Sequence, residues 1–268
     1  MKLKLRWCLS LSSIAHKHET RFTVELGDKI FLSIIIPAYN EEKRIEGTLD
    51  EIFHFLQKRY DRYEVIVVDD GSTDKTLDLL NRIQNQHRSL KVLHHKPNRG
   101  KGYAVKRGML NACGKYVLFC DADSSTPIDE LDAFICYLQN GYDVVIGSRN
   151  MEGAQVKIHQ PLIRRKMGHI FAVLTQRLLV SEISDITCGF KCFRGDIVRD
   201  IFSRQQLHDW SFDAEILFIT QERGYKIKEL PVCWSDVEGT KVKLLRDSIR
   251  SFWGLFKIRF NDFKGKYN

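Results

Sequence analysis

No stretch of this sequence approaches the ~18 consecutive apolar residues that a membrane-spanning helix requires. No G-x-G-x-x-G follows the first apolar run, which argues against a dinucleotide-binding Rossmann site. No G-x-x-x-x-G-K-[ST] occurs either, which argues against a P-loop nucleotidase. The 7 cysteines are scattered, odd in number and mostly set in apolar runs. Cys188 and Cys192 lack the second pair that a zinc site would need. The pattern fits reduced thiols in a cytosolic setting. Acidic residues are in short supply, 34 against 42 lysines and arginines, and the net charge is +8. That balance suits an anionic partner: nucleotide phosphates, a phospholipid surface or nucleic acid. Nucleic acid ranks last, because the basic residues accompany apolar faces rather than forming a polar stripe with exposed aromatics. Met1–Ser13 has a basic start and a short apolar patch at Trp7–Leu11, too short for a signal peptide. Residues 1–30 read as an N-terminal tail, of which 1–20 could touch a membrane. The hydrophobic content of 43% is ample for a globular core.

What is present is organised around Tyr116–Glu130, Y-V-L-F-C-D-A-D-S-S-T-P-I-D-E. Tyr116–Cys120 reads as a buried strand of a parallel sheet and runs straight into Asp121-Ala122-Asp123. In extended backbone, residues i and i+2 point the same way. Both carboxylates therefore project together from the carboxyl end of the strand, where open α/β sheets bind ligands. Convergent carboxylates repel unless a cation sits between them. Hard oxygen ligation suits Mg²⁺ or Mn²⁺ shared with substrate phosphates. Asp and Ser are also common helix caps, and Ser124, Ser125 and Thr126 precede a helix with Pro127 near its first turn. The pair alone admits both readings.

Taken in order, Phe31–Ile36 is a β-branched run ended by Pro37, a buried first strand. Asn40 is expected to cap a helix whose first turn carries Glu41 and Glu42. Ile45, Leu49, Ile52, Phe53 and Leu56 recur at helical spacing, which predicts a helix over Arg44–Gln57. Tyr63–Val68 is a second buried strand, followed by Asp69-Asp70-Gly71-Ser72-Thr73-Asp74 and a helix at Lys75–Gln86. Lys91–His95 is a third strand; the basic loop Asn98–Gly102 precedes a helix over Tyr103–Ala112. The central strand, a helix at Ile128–Leu138 and a strand at Tyr142–Ile146 complete the series. Such alternation means a parallel, doubly wound α/β sheet with helices on both faces. The loops after the first, second and fourth strands carry Tyr39/Glu41, Asp69/Asp70 and Asp121/Asp123, all on the carboxyl edge. Further on, His159–Val180 and Lys241–Lys264 read as basic amphipathic helices. In the second, Leu245, Ile249, Phe252, Trp253, Phe256 and Phe260 share a face flanked by Lys and Arg, as suits the interface of an anionic bilayer. A helix packed on the sheet is the alternative for each.

The segments P-A-Y-N-E, V-V-D-D-G-S-T-D, N-R-G-K-G, D-A-D and G-S-R, in this order over about Phe31 to Arg149, resemble the family 2 glycosyltransferases of GT-A fold. Asp185–Phe193, Trp210–Glu215 and Val237–Val242 resemble the dolichyl-phosphate glucosyltransferase branch of that family. The resemblance implies a GT-A catalytic domain over residues 31–240, with a donor half at 31–150, an acceptor half at 151–240 and an amphipathic helix at 241–268. It implies inverting transfer of a hexose, glucose from UDP-glucose before mannose from GDP-mannose, to a polyprenyl phosphate. It implies Mg²⁺ or Mn²⁺ as cofactor and action at the cytoplasmic face of a membrane by peripheral association. Related mannosyl-transferring synthases often place a glutamine metal ligand where Ser125 stands. Glucosyl-transferring members of eukaryotes carry an N-terminal membrane span, and no apolar run of that length is present here.

On this resemblance Asp121 and Asp123, with Ser125 as third ligand, are assigned to metal and donor diphosphate. Pro37, Tyr39 and Glu41 are expected around the nucleotide base and ribose, Asp69 facing the base and Lys101 near phosphate. Arg149 is expected to clamp phosphate through its bidentate fork. Arg164 or Arg165, and Lys191, are expected on the acceptor-phosphate side. Asp213 is the acidic residue at a position where the wider family can hold a base. A nucleotidyltransferase would share the sheet and metal, but P-A-Y-N-E is not the glycine-rich basic loop such enzymes use; a non-catalytic nucleotide-sugar sensor is disfavoured by the intact D-A-D.

Overall fold

The computed structural model describes residues 29–158, 162–237 and 244–268. Expectations for the N-terminal tail and for the Val237–Val242 segment beyond residue 237 fall outside the described residues.

Seven strands form one sheet in the order β3-β2-β1-β4-β7-β5-β8. They are β1 (Leu32–Ala38), β2 (Tyr63–Asp69), β3 (Leu90–His94), β4 (Tyr116–Cys120), β5 (Val144–Ser148), β7 (Phe190–Arg194) and β8 (Ile227–Pro231). A small parallel pair, β6 (Gln155–Ile158) with β9 (Cys233–Ser235), lies apart from it. The sheet is parallel except for β7, which runs antiparallel to both β4 and β5. The five strands expected from sequence, β1 to β5, all run in one direction, and the inserted β7 leaves the sheet mostly parallel. Residues between β5 and β7 travel far enough for the chain to return between two strands that sequence order alone would pair. Both faces of the sheet are covered, which is why its central strands are continuous apolar runs. Ile34 and Ile36 pack with helices α1 (Ile45–Arg59), α2 (Thr76–Gln86) and α4 (Leu131–Gln139) on one face. Ile35 packs on the other face with α3 (Lys101–Asn111), α5 (Leu162–Leu178), α6 (Gly195–Arg204), α7 (Phe212–Glu222) and α8 (Leu244–Phe263).

Pro37 does not end β1. The ladder from β1 to β4 stops at Ile35, whereas the ladder to β2 continues through Ala38. Pro37 has no N–H to donate, so it sits where β1 has lost its partner on one side. From there the chain order runs outward in both directions, to β2 and to β4. This is the switch point at which an open α/β sheet leaves a crevice.

Asn40 does not cap α1. That helix begins only at Ile45, and Asn40 sits in the left-handed region at φ 54°. Its Oδ1 instead accepts from Thr73 N at 2.7 Å, fastening the β1 loop to the β2 loop. Asp74 accepts from Thr76 N at 3.0 Å at the start of α2. Beyond Pro127 a short 3₁₀ turn, Ile128–Glu130, leads into α4.

Candidate active site

The carboxyl ends of β1, β2 and β4 meet the start of β7 at one edge. Asp121 and Asp123 leave β4 there, and Thr48 of α1 holds their loop by donating to Ala122 O at 2.9 Å. Asp121 is tied to β7 as well, its N donating to Gly189 O at 3.2 Å. A Cβ on Gly189 would lie 2.0 Å from Asp121 Oδ2, so this position must be glycine for the carboxylate to occupy its place. Asp123 Oδ1 accepts from Ser125 N at 3.0 Å and from the Ser125 hydroxyl. Lys101 reaches in from the start of α3 and pairs with Asp121 Oδ1 at 2.6 Å. Burial disfavours its charge, but Asp121, Asp213 and Asp123 more than offset this and its pKa is raised.

Behind this edge lies a buried ion pair. Lys191 on β7 is fully buried; its Nζ donates to Asp213 Oδ1 at 2.6 Å and to Cys188 O at 2.7 Å. The Phe119 ring lies 5.2 Å from the ammonium. A second pair closes the far side. Arg149 donates from Nε to Asp185 Oδ2 at 2.7 Å and from Nη2 to Asp185 Oδ1 at 2.8 Å. Its Nη2 also donates to Thr187 Oγ1 at 2.9 Å, and the Trp234 ring lies 5.3 Å away. Burial pushes the Asp185 carboxyl up, but the neighbouring guanidinium outweighs it and holds the pKa below its ordinary value. Burial pushes the Cys188 thiol up to about 12, so it stays protonated at neutral pH.

The donor set fits a divalent ion. Among the described residues no cluster of His, Cys, Asp or Glu could cage a metal by itself. Two carboxylates beside an open crevice are what a Mg²⁺ or Mn²⁺ shared with a diphosphate requires. The ammonium already drawn to Asp121 shows that the spot attracts positive charge.

The profile of Glycosyl transferase family 2 matches residues 33–202. A dolichyl-phosphate beta-glucosyltransferase of Dictyostelium discoideum is 36% identical over 245 residues, covering 87% of this chain and 75% of that protein. The chain belongs to glycosyl transferase family 2. A human dolichyl-phosphate beta-glucosyltransferase is 34% identical over 224 residues, covering 79% of this chain and 69% of its own. In fold, the family 2 chain is similar to glucosyl-3-phosphoglycerate synthase of Mycobacterium tuberculosis, solved with Mn²⁺, UDP and phosphoglyceric acid. The TM-score is 0.64 at 19% identity, covering 85% of this chain and 78% of that one. The mixed seven-stranded sheet with helices on both faces is that of GT-A glycosyltransferases.

Within this glycosyltransferase, Pro37 and Tyr39 are half-buried at the end of β1. Glu41 is buried, and its Oε2 accepts from Arg44 Nε at 2.8 Å. Asp69 is also buried; it faces His94 Nδ1 at 2.7 Å and accepts from Ser72 N at 3.3 Å. Asp70 accepts from the backbone N–H of Arg99 and of Gly100, each at 2.8 Å, and so shapes the loop that aims Lys101. The Arg149 fork is spent on Asp185 and Thr187, leaving only Nη1 for a phosphate among its described contacts. Lys191 and Asp213 satisfy each other inside the protein rather than facing the crevice. The side chains of Arg164 and Arg165 lie outside the described residues. Sequence reasoning missed Gly189 and Asp185 as individual site residues, although both lie in the D-I-T-C-G-F-K-C-F stretch. A glycine directly before a strand that opens on the site was the available signal.

Proposed function

We propose that this family 2 glycosyltransferase moves glucose from UDP-glucose to the phosphate of a dolichol-type polyprenyl phosphate, inverting the anomeric carbon. The observation that carries the reading is the Asp121–Asp123 pair in the β1/β4 crevice of a chain whose relatives are named for that transfer. UDP and Mn²⁺ in a fold neighbour accord with it. Asp121 and Asp123, with Ser125 supporting Asp123, would hold the divalent ion, which supplies positive charge to the leaving diphosphate. Tyr39 belongs to the base and Glu41 to the ribose, while Asp69, its side chain fully buried, supports this edge through His94 and Ser72. Lys101 adds charge on the diphosphate side, and Arg149 Nη1 supplies a donor to phosphate.

No protein base is required. A phosphomonoester loses its second proton near pH ~6, so its oxygen is already nucleophilic at neutral pH. It attacks C1 as the bond to UDP breaks, and catalysis rests on charge and in-line placement. This accords with an Asp213 that is buried against Lys191. Its role is then to position Lys191 and, through β7, Gly189 and Asp121. The free thiols among the described cysteines accord with a reducing compartment such as the cytoplasmic side of a membrane.

The test is transfer itself. Purified protein is incubated with Mg²⁺, dolichyl phosphate and radiolabelled UDP-glucose or GDP-mannose, and the lipid is extracted. Label in the lipid from UDP-glucose, abolished by EDTA, is the expected result. Label from GDP-mannose instead would replace glucose by mannose; label from neither would overturn the reading. Activity should rise through pH ~6 and then stay level.

A further inference from the structure

Lys101 is held differently from an ordinary surface lysine. Its Nζ lies 2.6 Å from Asp121 Oδ1, and its side chain is 15% exposed. The Trp210 ring is 5.2 Å from the ammonium and the Phe212 ring 5.9 Å. Asp123 and Asp213 add their attraction to that of Asp121. The backbone beneath it is fixed. Gly102 N donates to His208 O at 2.8 Å, and Gln205 Nε2 donates to Gly102 O at 2.9 Å. Movement is left to the four-carbon stem, which is flexible in lysine.

A divalent ion on Asp121 and an ammonium on the same carboxylate repel each other. The first cannot arrive without the second giving way or finding another anion. The described surroundings offer Lys101 little choice: Asp213 is already occupied by Lys191, and Asp123 is the other carboxylate assigned to the ion in the proposed function. The incoming diphosphate is the anion that restores its pairing. We propose that Lys101 is a built-in counter-ion for Asp121, displaced by the divalent metal and passed to the donor's diphosphate. This deepens the reading of Asp121 and Asp123 as metal carriers and rests on it. Its consequence is coupling. Metal alone must evict Lys101 without compensation, whereas metal with nucleotide gives the lysine a new partner. By linkage each ligand then strengthens the other equally.

Mn²⁺ binding, read from the EPR signal of the free ion with and without UDP, tests this in the full chain. Wild type should bind Mn²⁺ weakly alone and more tightly with UDP. Lys101→Gln, which removes the charge, should tighten Mn²⁺ alone by about tenfold and shrink the benefit from UDP, a change within the usual 5–150-fold range of coupling. Lys101→Arg keeps the charge and should keep Mn²⁺ weak in the absence of UDP. Thermal melting of each variant confirms folding. Lys101→Gln binding Mn²⁺ alone no more tightly than wild type overturns the proposal, as does an undiminished effect of UDP in that variant. If that happens while wild type still transfers glucose with Mg²⁺, the function stands and only the counter-ion role falls. A wild type that binds no Mn²⁺ even with UDP, and transfers nothing, removes both.

Discussion

At the scale of single residues, the buried pair Lys191–Asp213 decides what substitutions there can report. Removing one partner leaves a charge uncompensated in the interior, which costs about 3–5 kcal/mol. In a chain of this size Asp213→Asn should therefore lower Tm by roughly 6–20 °C. Replacing both ends with apolar residues, Lys191→Met with Asp213→Leu, should recover most of that loss. If Asp213 only positions, this double variant retains substantial kcat/KM; if it is a base, a deficit of ~10²–10⁴ persists after stability returns. Gly189→Ala acts at the opening instead. Its Cβ would drive the Asp121 carboxylate aside, so a loss of ~10²–10³ in kcat is expected with little change in Tm, as for loss of one organised electrostatic contact. Asp185 gives a pH dependence of known sign. Its folded pKa lies below the unfolded value, so its contribution is present above the ordinary carboxylate range and is lost as pH falls through the folded pKa. The Tm difference between wild type and Asp185→Asn should be flat from neutral pH down to about 4 and shrink below it.

At the scale of elements, the alternating strands and helices from β1 to β5 were legible because each carries its own pattern: apolar runs of strand length and apolar residues at helical spacing. The D-A-D pair was legible for the same local reason, since its geometry follows from two residues of extended backbone. What was not legible is long-range. Nothing near Phe190–Arg194 says that it inserts antiparallel between β4 and β5. Nothing near Lys191 or Arg149 names Asp213 or Asp185 as partner, because pairing across 22 and 36 residues leaves no spacing rule. Helix α8 shows the limit most clearly. Of the stripe expected from sequence, Ile249, Trp253, Phe256 and Phe260 face outward, whereas Phe252 turns inward against Phe171, on the side where Leu255 and Ile258 are buried. The helix crosses α7 where Gly254 abuts Ser211, so close that a Cβ on Gly254 would fall 2.0 Å from Ser211 Oγ. Beyond it the chain is fastened by Tyr267, whose hydroxyl donates to Glu215 Oε1 at 2.6 Å. Gly254→Ala should lift α8 from α7 and cost about 1–3 kcal/mol, the usual range for overpacking. Thermal melting reads it directly, and a change below about 0.5 kcal/mol, typical of a neutral surface site, would show that the two helices are not in firm contact.

At the scale of the whole molecule, charge and exposed apolar surface lie together. No described helix is long and apolar enough to cross a membrane. Yet Ile249, Trp253, Phe256, Phe260 and Phe263 stand out from α8 at 55–88% exposure, on a chain of net charge +8. Scattered exposed apolar residues need no explanation, but a contiguous aromatic stripe does. A lipid acceptor gives it one: the aromatic residues would enter the interface while Arg250, Lys257 and Lys264 meet anionic headgroups. The protein is therefore expected to float with anionic liposomes. It should release as salt rises, since the screening length falls from about 10 Å at 0.1 M to about 3 Å at 1 M. Trp253→Glu with Phe256→Glu should abolish flotation and leave Tm nearly unchanged, because both side chains already face solvent. Leu255→Glu, between them in sequence but 1% exposed, should instead collapse the fold. The two outcomes separate a docking face from a structural one. If the exposed-face variant floats like wild type, α8 is not the membrane contact. If wild type binds neutral and anionic liposomes equally at low salt, where attraction between charges is least screened, the basic residues contribute nothing and only the apolar stripe holds it. Transfer to a water-soluble short-chain polyprenyl phosphate should survive the exposed-face substitutions, because the Asp121–Asp123 edge is built by β4 and β7 and not by the outer side of α8.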